Sequence, residues 1–239
     1  MVEDLPKCHL DDSECLRDLY EMVIKDICEN GIPEQDIPPV EPMIIEDVTF
    51  NIHDVANLTI VEGIAKGIKD CAVEKFSINI TEGIAHQENT CDISVEGHYK
   101  MEAFSPLFKK FLGQEYMHGD GNGKSETENM HLIFDFPFNV IRHDDGEIYI
   151  KCIYDLIKYD YENRENVVYS ADNIVVGDEE ISELMVEMMN ANWRIVMSTC
   201  AQPFMDRSVD FYFKLVGYFF DSVPARHYII EDLTPYLKP

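Results

Sequence analysis

The sequence has few basic residues and no long apolar run. Its 239 residues hold 19 lysines and arginines against 46 aspartates and glutamates, a formal net charge of −27. Such an acidic surface repels nucleic acid and anionic lipid. No run of about 18 uncharged apolar residues occurs, and the nearest candidate, residues 209–223, contains Asp210, Lys214 and Asp221. We therefore expect no nucleic-acid partner and no stable membrane insertion.

Catalytic and metal-binding motifs are also missing from the sequence. It has no GxSxG elbow, no HExxH, no P-loop and no GxGxxG after a strand. It has no CxxC pair, and its histidines are scattered without the spacing of zinc ligands. The sequence therefore predicts a protein that is not an enzyme and that needs no metal and no cofactor.

The first regular element is an amphipathic helix that begins near Asp12. Acidic residues and a serine at positions 11–13 offer an N-cap, and Asn30-Gly31 supplies a C-terminal stop. Apolar residues recur between them at helical spacing, at Leu16, Leu19, Tyr20, Val23, Ile24 and Ile27. The segment GIPEQDIPPVEPM follows at residues 31–43, and its prolines exclude a helix or a central strand.

The middle of the chain, from Met43 to about Tyr169, has the pattern of an antiparallel sheet. Apolar and polar residues alternate in it, as in VTFNI at 48–52 and FSINI at 76–80. Glycine-rich segments at 119–123 and 144–146 predict hairpin turns. Residues 120–126 do not make a calcium loop, because the sixth position is not glycine and the twelfth is His131.

From Asp178 onward the apolar residues follow a helical period instead. They lie at Ile181, Leu184, Met185, Met188, Val196 and Met197. If continuous, this helix spans about 45 residues, with a kink near Pro203. Its second half, VDFYFKLVGYFF, is apolar nearly all round and must be surrounded. The order of elements predicts an α+β fold, a single domain over residues 1–239, in which a highly curved antiparallel sheet wraps one long C-terminal helix after a short N-terminal helix.

Aromatic residues concentrate in two places. Phe134, Phe136 and Phe138 share one face of a strand, because their period is two. The second group lies on the late helix: Phe204, Phe211, Tyr212, Phe213, Tyr218, Phe219 and Phe220. Both groups fit plain core packing, and both also fit the lining of an apolar pocket for an elongated ligand. The residues alone leave the two interpretations open.

Cysteines and glycosylation sequons indicate whether the protein is secreted or stays inside the cell. Cys8 and Cys15 enclose a short loop, and Asn57 and Asn79 begin Asn-x-Thr triplets. Together they favour an oxidising, secreted setting. The first residues, MVEDLPK, lack an apolar signal core, so we expect a mature chain from which a signal has been removed.

These features resemble the insect juvenile hormone-binding protein/takeout family, within the superfamily of tubular lipid-binding folds. The resemblance rests on the loop from Cys8 to Cys15 followed by Leu16, then a helix and GIPEQDIPPVEPM, and on an ending with a long helix, Pro224 and a tail containing Tyr228, Ile229 and Ile230. It covers essentially the whole chain. It implies the fold described above and a secreted carrier, in haemolymph, of a small hydrophobic ligand such as juvenile hormone or a similar terpenoid or lipid.

The resemblance also implies a disulfide pattern. Takeout-like members keep the first bridge, which corresponds to Cys8–Cys15, and hormone carriers add a second, for which Cys152 and Cys200 hold the matching positions. That second pair favours the hormone-carrier branch. The remaining cysteines are Cys71 and Cys91, which could pair across neighbouring strands, and Cys28, which is expected to be a buried free thiol.

A ligand site in the interior, with the first helix as its lid, is a further implication. Its implied lining is Leu16, Leu19, Tyr20, Val23, Phe134, Phe136, Phe138, Val196, Phe204, Phe211, Tyr212 and Phe220. Phe136 stands where hormone carriers have a tyrosine hydroxyl for the epoxide of the ligand, so Tyr20, Tyr212 or Thr199 would have to supply a donor. We expect a monomer. The alternative is a secreted interaction or immune protein on the same fold with a filled core.

Overall fold

A curled antiparallel sheet forms most of the molecule. The structure, a computed structural model, describes residues 5–33, 39–52, 55–104, 113 and 116–238. Ten strands of this part belong to one sheet, and their pairings are antiparallel, as the alternation predicts. They are β1 (Met43–Ile52), β2 (Ala56–Lys66), β3 (Ala72–Asn79), β4 (Ile84–Phe104), β5 (Tyr116–Arg142), β6 (Ile148–Cys152), β7 (Lys158–Asn163), β8 (Val167–Ala171), β9 (Ile174–Val176) and β10 (Glu179–Glu180).

Two long strands, β4 and β5, organise the sheet. They pair with each other along the whole length of β4. β4 is flanked on its other side first by β3 and then by β2, while β5 is flanked by β9, β8, β7 and β6 in turn. Strands of 21 and 27 residues accumulate a large twist, and the sheet therefore curls around its apolar face.

The hairpin turn predicted at residues 119–123 is wrong, because these residues lie inside β5. The reason is the ring of Tyr99 on β4. A side chain at Gly119 would come within 2.8 Å of that ring, and one at Gly123 within 3.2 Å. These glycines therefore make room for a neighbouring aromatic ring. The second predicted turn is confirmed, since the amide of Gly146 donates to the carbonyl of His143 in the hairpin between β5 and β6.

Four α-helices flank and fill the curled sheet in the described residues: α1 (Ser13–Asn30), α2 (Ser182–Ala191), α3 (Trp193–Cys200) and α4 (Gln202–Ser222). The long late helix is thus not continuous, because Asn192 and Ala201 interrupt it. Pro203 lies in the first turn of α4, where its missing N–H costs no hydrogen bond. The predicted kink near Pro203 is therefore a boundary between two helices, α3 and α4, and not a bend within one helix. None of the described helices has the length and apolarity needed to cross a membrane.

The largest apolar core lies between α1, the inner face of the sheet and α4. The sheet contributes Phe134, Phe136 and Phe138, each at most 3% exposed, and α4 contributes Phe213 at 1%. A long C-terminal helix, α4, packed inside a curled antiparallel sheet agrees with the fold that the sequence predicts. The fold class is confirmed.

Disulfide pairing follows the strand register. Cys8 bonds to Cys15, as predicted, and Cys71 bonds to Cys91. β3 and β4 place Ala72 opposite Thr90, which brings Cys71 beside Cys91 with their Cα atoms 4.3 Å apart. Cys28 is a buried free thiol, also as predicted.

The implied bridge between Cys152 and Cys200 is wrong, because both are free thiols. Cys152 lies on β6 near Asp221, at the end of α4, and burial followed by the charge of Asp221 raises the pKa of its thiol to about 12. Cys200 ends α3, before α4 begins. The intervening helix of residues 202–221 rises roughly 30 Å, whereas a disulfide needs Cα atoms within about 7 Å. The second disulfide, which favoured the hormone-carrier branch of the family, is therefore not formed.

Candidate functional site

Helix α1 begins and ends as its sequence predicts. The carboxylate of Asp12 accepts a hydrogen bond of 3.0 Å from the amide of Cys15, which is an N-cap. Gly31 ends the helix with a φ of 69°, a backbone angle that glycine adopts without strain. The buried face of α1 consists of Leu16, Leu19, Tyr20, Val23, Ile27 and Cys28. The helix therefore lies with its apolar stripe against the protein interior.

The start of α1 is fastened to the C-terminal tail. Cys8 donates its amide to the carbonyl of Tyr228 and accepts from the amide of Ile230, at 3.0 and 3.1 Å. The carboxylate of Glu231 accepts from the amide of Leu10 at 3.1 Å and lies 2.9 Å from the ring of His9. The disulfide loop is thereby anchored to the buried part of the tail at Cys8, while its other residues lie at the surface.

The end of α1 is fastened to the sheet through Glu41. The amides of residues 40 and 41 both donate to the carbonyl of Cys28. The carboxylate of Glu41 in turn accepts from the amides of Gly67 and Ile68, at 2.8 and 3.1 Å. Prolines 33, 39 and 42 of the proline-rich segment lie in the described part of the chain, and residues 34–38 lie outside it.

An apolar pocket lies under α1. It is lined by Leu16, Leu19, Tyr20, Val23, Ile24, Phe76, Ile78, Val216, Phe219, Phe220 and Tyr228, which come from α1, β3, α4 and the tail. Its enclosed volume is only about 20 Å³. In this conformation the side chains of α1 and α4 fill most of the space that a ligand would occupy.

A continuous set of aromatic contacts extends from the pocket into the core. The ring of Tyr20 stacks on Phe76 with centroids 4.3 Å apart, and Phe76 lies 6.2 Å from Phe136. Phe213 on α4 contacts both Phe134 and Phe136, at 5.2 and 5.1 Å. The strand aromatics therefore pack against α4 directly behind the pocket.

A buried polar cluster interrupts this apolar interior. The hydroxyls of Tyr20 and Tyr212 share a hydrogen bond of 2.9 Å, and the amide nitrogen of Gln87 donates to the Tyr212 hydroxyl at 2.8 Å. Gln87 is 0% exposed and Asn89 is 4% exposed. The side-chain oxygens of both amides are buried and have no hydrogen-bond partner in the described part of the chain.

Burial dominates the electrostatics of this cluster. It raises the pKa of the Tyr20 hydroxyl well above its usual value, and the nearby Tyr212 raises it further. Burial also raises the pKa of Tyr212, although its hydrogen bonds with Tyr20 and Gln87 oppose the rise. Both phenols are therefore protonated at neutral pH and can donate hydrogen bonds.

The structure brings together part of the predicted ligand-binding set. Leu16, Leu19, Tyr20, Val23 and Phe220 line the pocket. Phe134, Phe136, Phe138, Phe211 and Tyr212 belong to the adjoining core. Val196 and Phe204 lie elsewhere, on α3 and at the start of α4, where Phe204 stacks on Phe50 of β1 at 3.9 Å. Thr199, the third candidate donor, bonds to the carbonyl of Ile195 on its own helix.

The predicted site lacked six residues of the pocket lining and the two amides of the polar cluster, Gln87 and Asn89, although it included Tyr20 and Tyr212; the six are Ile24, Phe76, Ile78, Val216, Phe219 and Tyr228. Phe76 and Ile78 share the alternating pattern of FSINI, which indicated a buried face but not which cavity it lines. Gln87 and Asn89 had no comparable signal. They alternate with His86 and Glu88, which are also polar, so a period of two cannot tell the inner face from the outer one.

Two other concavities or clusters could attract ligands. A wider groove of about 480 Å³, lined by Glu96, Gly97, Asn122, Gly123, Lys124, Ser170, Ala171 and Asp172, is open and polar. On the sheet, Glu74, Glu88 and His131 lie close enough together to hold a metal ion. Lys75 already lies 2.7 Å from Glu88, and Arg164 lies 3.4 Å from Glu74. Cationic side chains of the protein therefore balance these carboxylates.

Comparisons with known proteins agree with this architecture. Residues 1–229 match the family described as haemolymph juvenile hormone binding protein (JHBP). The chain is also similar to the crystal structure of Takeout 1 of Epiphyas postvittana, with a TM-score of 0.82 and 20% sequence identity, covering 94% of this chain and 99% of that one. At that identity the likeness concerns the fold. A search of curated proteins finds no match.

Proposed function

The chain belongs to the haemolymph juvenile hormone binding protein family, and on that premise we propose that it is a secreted, monomeric carrier of a small hydrophobic ligand. The ligand is a juvenile hormone-like terpenoid or a fatty acid-like lipid, and it binds in the interior beside α1. The observation that supports this site most directly is the pocket under α1, whose lining is apolar apart from the hydroxyls of Tyr20 and Tyr228. In this function residues 1–239 act as one ligand-binding domain, without catalysis.

Ligand entry requires α1 to move. An enclosed volume of about 20 Å³ is far below the roughly 300 Å³ typical of small-molecule sites. In the described residues, two hydrogen bonds join the middle of α1 to the rest of the protein: Glu21 accepts from the amide of Val73, and Tyr20 bonds to Tyr212. Apolar packing of residues such as Leu19 and Val23 supplies the remaining attachment. Both ends of α1 are fastened more firmly, through Cys8 and Glu41. An outward displacement of the central turns of α1 would enlarge the pocket while its ends stay attached.

Apolar burial would supply the affinity. At about 25 cal/mol per Å², a ligand that buries about 300 Å² gains roughly 7 kcal/mol before entropic costs, close to micromolar affinity. Phe136 is 2% exposed and packs on Phe213, so it contributes apolar surface and no hydroxyl. Polar contacts with the ligand must come from other side chains.

Secretion is supported by the two disulfides, which suit an extracellular protein. Asn57 and Asn79 both lie on the surface, at strand β2 and at the end of β3, as glycosylation requires. Peptide mass spectrometry of the protein from its native source, with and without enzymatic deglycosylation, would test both sites. Unmodified Asn57 and Asn79 would remove this support for secretion.

Displacement of a fluorescent apolar probe, N-phenyl-1-naphthylamine, by farnesol and by palmitic acid tests the carrier function. The substitution Ile78→Trp adds bulk to the pocket lining on β3, and we expect it to weaken binding about tenfold because it occupies ligand space. Val168→Trp, on the exposed face of β8, is the matched control and should leave binding unchanged. Circular dichroism and thermal unfolding establish that both variants fold.

A filled-core interaction protein is the second candidate, and the small volume of the pocket favours it. If folded wild-type protein binds neither the probe, nor farnesol, nor palmitic acid, the carrier function is wrong and the filled-core alternative stands. If Ile78→Trp and Val168→Trp bind as wild type does, the protein is a carrier whose site is not under α1.

A further inference from the structure

The polar cluster behind the pocket contains two buried amide oxygens without a hydrogen-bond partner in the described residues. Gln87 and Asn89 lie two residues apart on β4 and therefore face the same side, inward. The amide nitrogen of Gln87 has a partner, the Tyr212 hydroxyl, but within the described part of the chain its oxygen has none, and neither has the oxygen of Asn89. A buried acceptor without a donor costs about 1–3 kcal/mol, so two of them at one place indicate an absent donor.

Tyr20 connects this cluster to the pocket. Its ring lines the pocket under α1 and stacks on Phe76, while its hydroxyl reaches Tyr212. The Tyr20 side chain therefore resembles a ligand with a polar head, because its apolar ring lies in the pocket and its single hydroxyl lies at the polar cluster. If the central turns of α1 move outward, that side chain leaves and the space beside Gln87 and Asn89 opens.

We propose that the ligand is an apolar chain with an alcohol head, that it replaces the Tyr20 side chain, and that its hydroxyl donates to the side-chain oxygen of Gln87 or Asn89. This inference rests on the carrier function proposed above. An ether, an ester or an epoxide offers acceptors only and leaves both amide oxygens without a donor. An ionised carboxylate also offers acceptors only, and it adds charge to an interior in which the pocket lining contains no basic side chain.

The hydroxyl of Tyr228, the other polar group of the pocket lining, does not distinguish an alcohol head group from an ether. The hydroxyl of Tyr228 is buried without a hydrogen-bond partner in the described residues, and a hydroxyl can donate or accept. It would serve an alcohol and an ether equally well. Selectivity for a donor is therefore assigned to the two amides alone.

Farnesol and farnesyl methyl ether form the test pair, because they share one chain and differ in the donor hydrogen. Dissociation constants come from displacement of N-phenyl-1-naphthylamine. We expect farnesol to bind about tenfold more tightly, the effect of one buried hydrogen bond that would otherwise be left unmade. Equal binding of the two overturns the alcohol head and leaves the carrier function intact. Binding of neither, while palmitic acid or the probe binds, also overturns the alcohol head, and binding of none of them overturns the carrier function itself.

Gln87→Met and Tyr228→Phe separate the amides from the rest of the pocket. Methionine keeps the length of Gln87 without its amide, and Asn89→Leu removes the second amide in the same way. The preference for farnesol over the ether should fall to about threefold or less in at least one of these two variants, and full retention in both overturns the assignment. Tyr228→Phe should retain the full preference, even where both affinities change together. Loss of the preference in Tyr228→Phe and in neither amide variant would place the selective group elsewhere and overturn the assignment.

Tyr20→Phe tests whether Tyr20 fills the place of the ligand. Removal of its hydroxyl weakens the conformation in which Tyr20 occupies the site, and both farnesol and its ether should then bind about three- to tenfold more tightly. Weaker binding of both ligands would mean that Tyr20 holds the ligand, and the replacement of Tyr20 would be wrong.

Discussion

The two ends of the late helical region are packed very differently. We call α4, together with the elements that pack around it (α1, β3 and the tail of residues 225–233), the aromatic end. We call α2 and α3 the exposed end. α4 buries eight residues, whereas α2 buries Ser182 alone and α3 buries Trp193 alone. Leu184, Met188 and Ile195 are 48%, 54% and 62% exposed. Apolar content therefore does not decide burial in this chain.

The difference arises from what the sheet and α1 cover. At the aromatic end, α1 closes the mouth of the curled sheet, and the tail packs behind it with Tyr228 and Ile229 both 2% exposed. At the exposed end, α2 packs on β8 and β9 with one side only, through residues such as Met185. The proposed site thus lies where the packing is densest, so ligand binding has to open a well-packed region.

A matched pair of leucines gives the largest contrast between the two ends. Leu16 is 2% exposed on α1 and Leu184 is 48% exposed on α2. Leu16→Ala should lower the free energy of unfolding by about 3–5 kcal/mol, because it leaves a cavity, and Leu184→Ala by less than about 0.5 kcal/mol. Urea unfolding at equilibrium measures both. Equal losses would show that the exposed end is as well packed as the aromatic end.

Thiol reactivity should differ by at least about a hundredfold between the ends, because buried thiols react only when the structure opens locally. Cys28 is buried at the aromatic end, Cys152 is buried on β6 beside α4, and Cys200 is partly exposed at the end of α3. Iodoacetamide at pH 8 should therefore label Cys200 first. Peptide mass spectrometry follows each site over time, and labelling of all three at one rate would contradict the difference in packing.

Alkaline pH should weaken the aromatic end. Burial, with smaller effects of Glu41 and Glu29, raises the pKa of Cys28 from 9.0 to about 12. The folded thiol then stays protonated where the unfolded thiol ionises, so its stabilisation is complete below pH 9 and is lost as the pH rises from 9 to 12. The slope is at most about 1.4 kcal/mol per pH unit for each such thiol.

Urea unfolding between pH 8 and pH 10.5 measures this slope. Cys28→Ala should reduce it, because the titrating group is gone. Leu184→Ala, at the exposed end, removes no titrating group, so it is the control and should keep the slope of the wild-type protein. A slope unchanged by Cys28→Ala would contradict the assignment.

Removal of the N-cap of α1 should have the smallest effect. Asp12→Ala removes the acceptor of the Cys15 amide and should cost about 1 kcal/mol of unfolding free energy. Asp11→Ala removes the same charge but keeps the cap, and should cost less than about 0.5 kcal/mol. Thermal or urea unfolding compares the two variants. A larger loss in Asp11→Ala would show that charge, and not capping, supports the start of α1.

Local signals predicted most of the elements correctly. The cap at Asp12, the apolar stripe from Leu16 to Ile27 and the stop at Gly31 all lie within one stretch of chain, and α1 forms there. Alternation over the middle of the chain predicted antiparallel strands for the same reason. The turn at 119–123 failed because the glycines respond to Tyr99, a residue about 20 positions away in sequence that only strand pairing brings near.

The sequence by itself determined most of the helical and strand segments and which helix must be surrounded, because these properties depend on periods and caps within a few residues. The exceptions are residues 119–123, which lie inside β5, and the interruptions of the late helix at Asn192 and Ala201. Only the tertiary structure decided that Cys71 pairs with Cys91, that Cys152 and Cys200 lie far apart, and that α4 is covered while α2 is not. It also decided that Gln87 and Asn89 face inward. Each of these depends on register and on the curl of the sheet, which join residues that are distant along the chain.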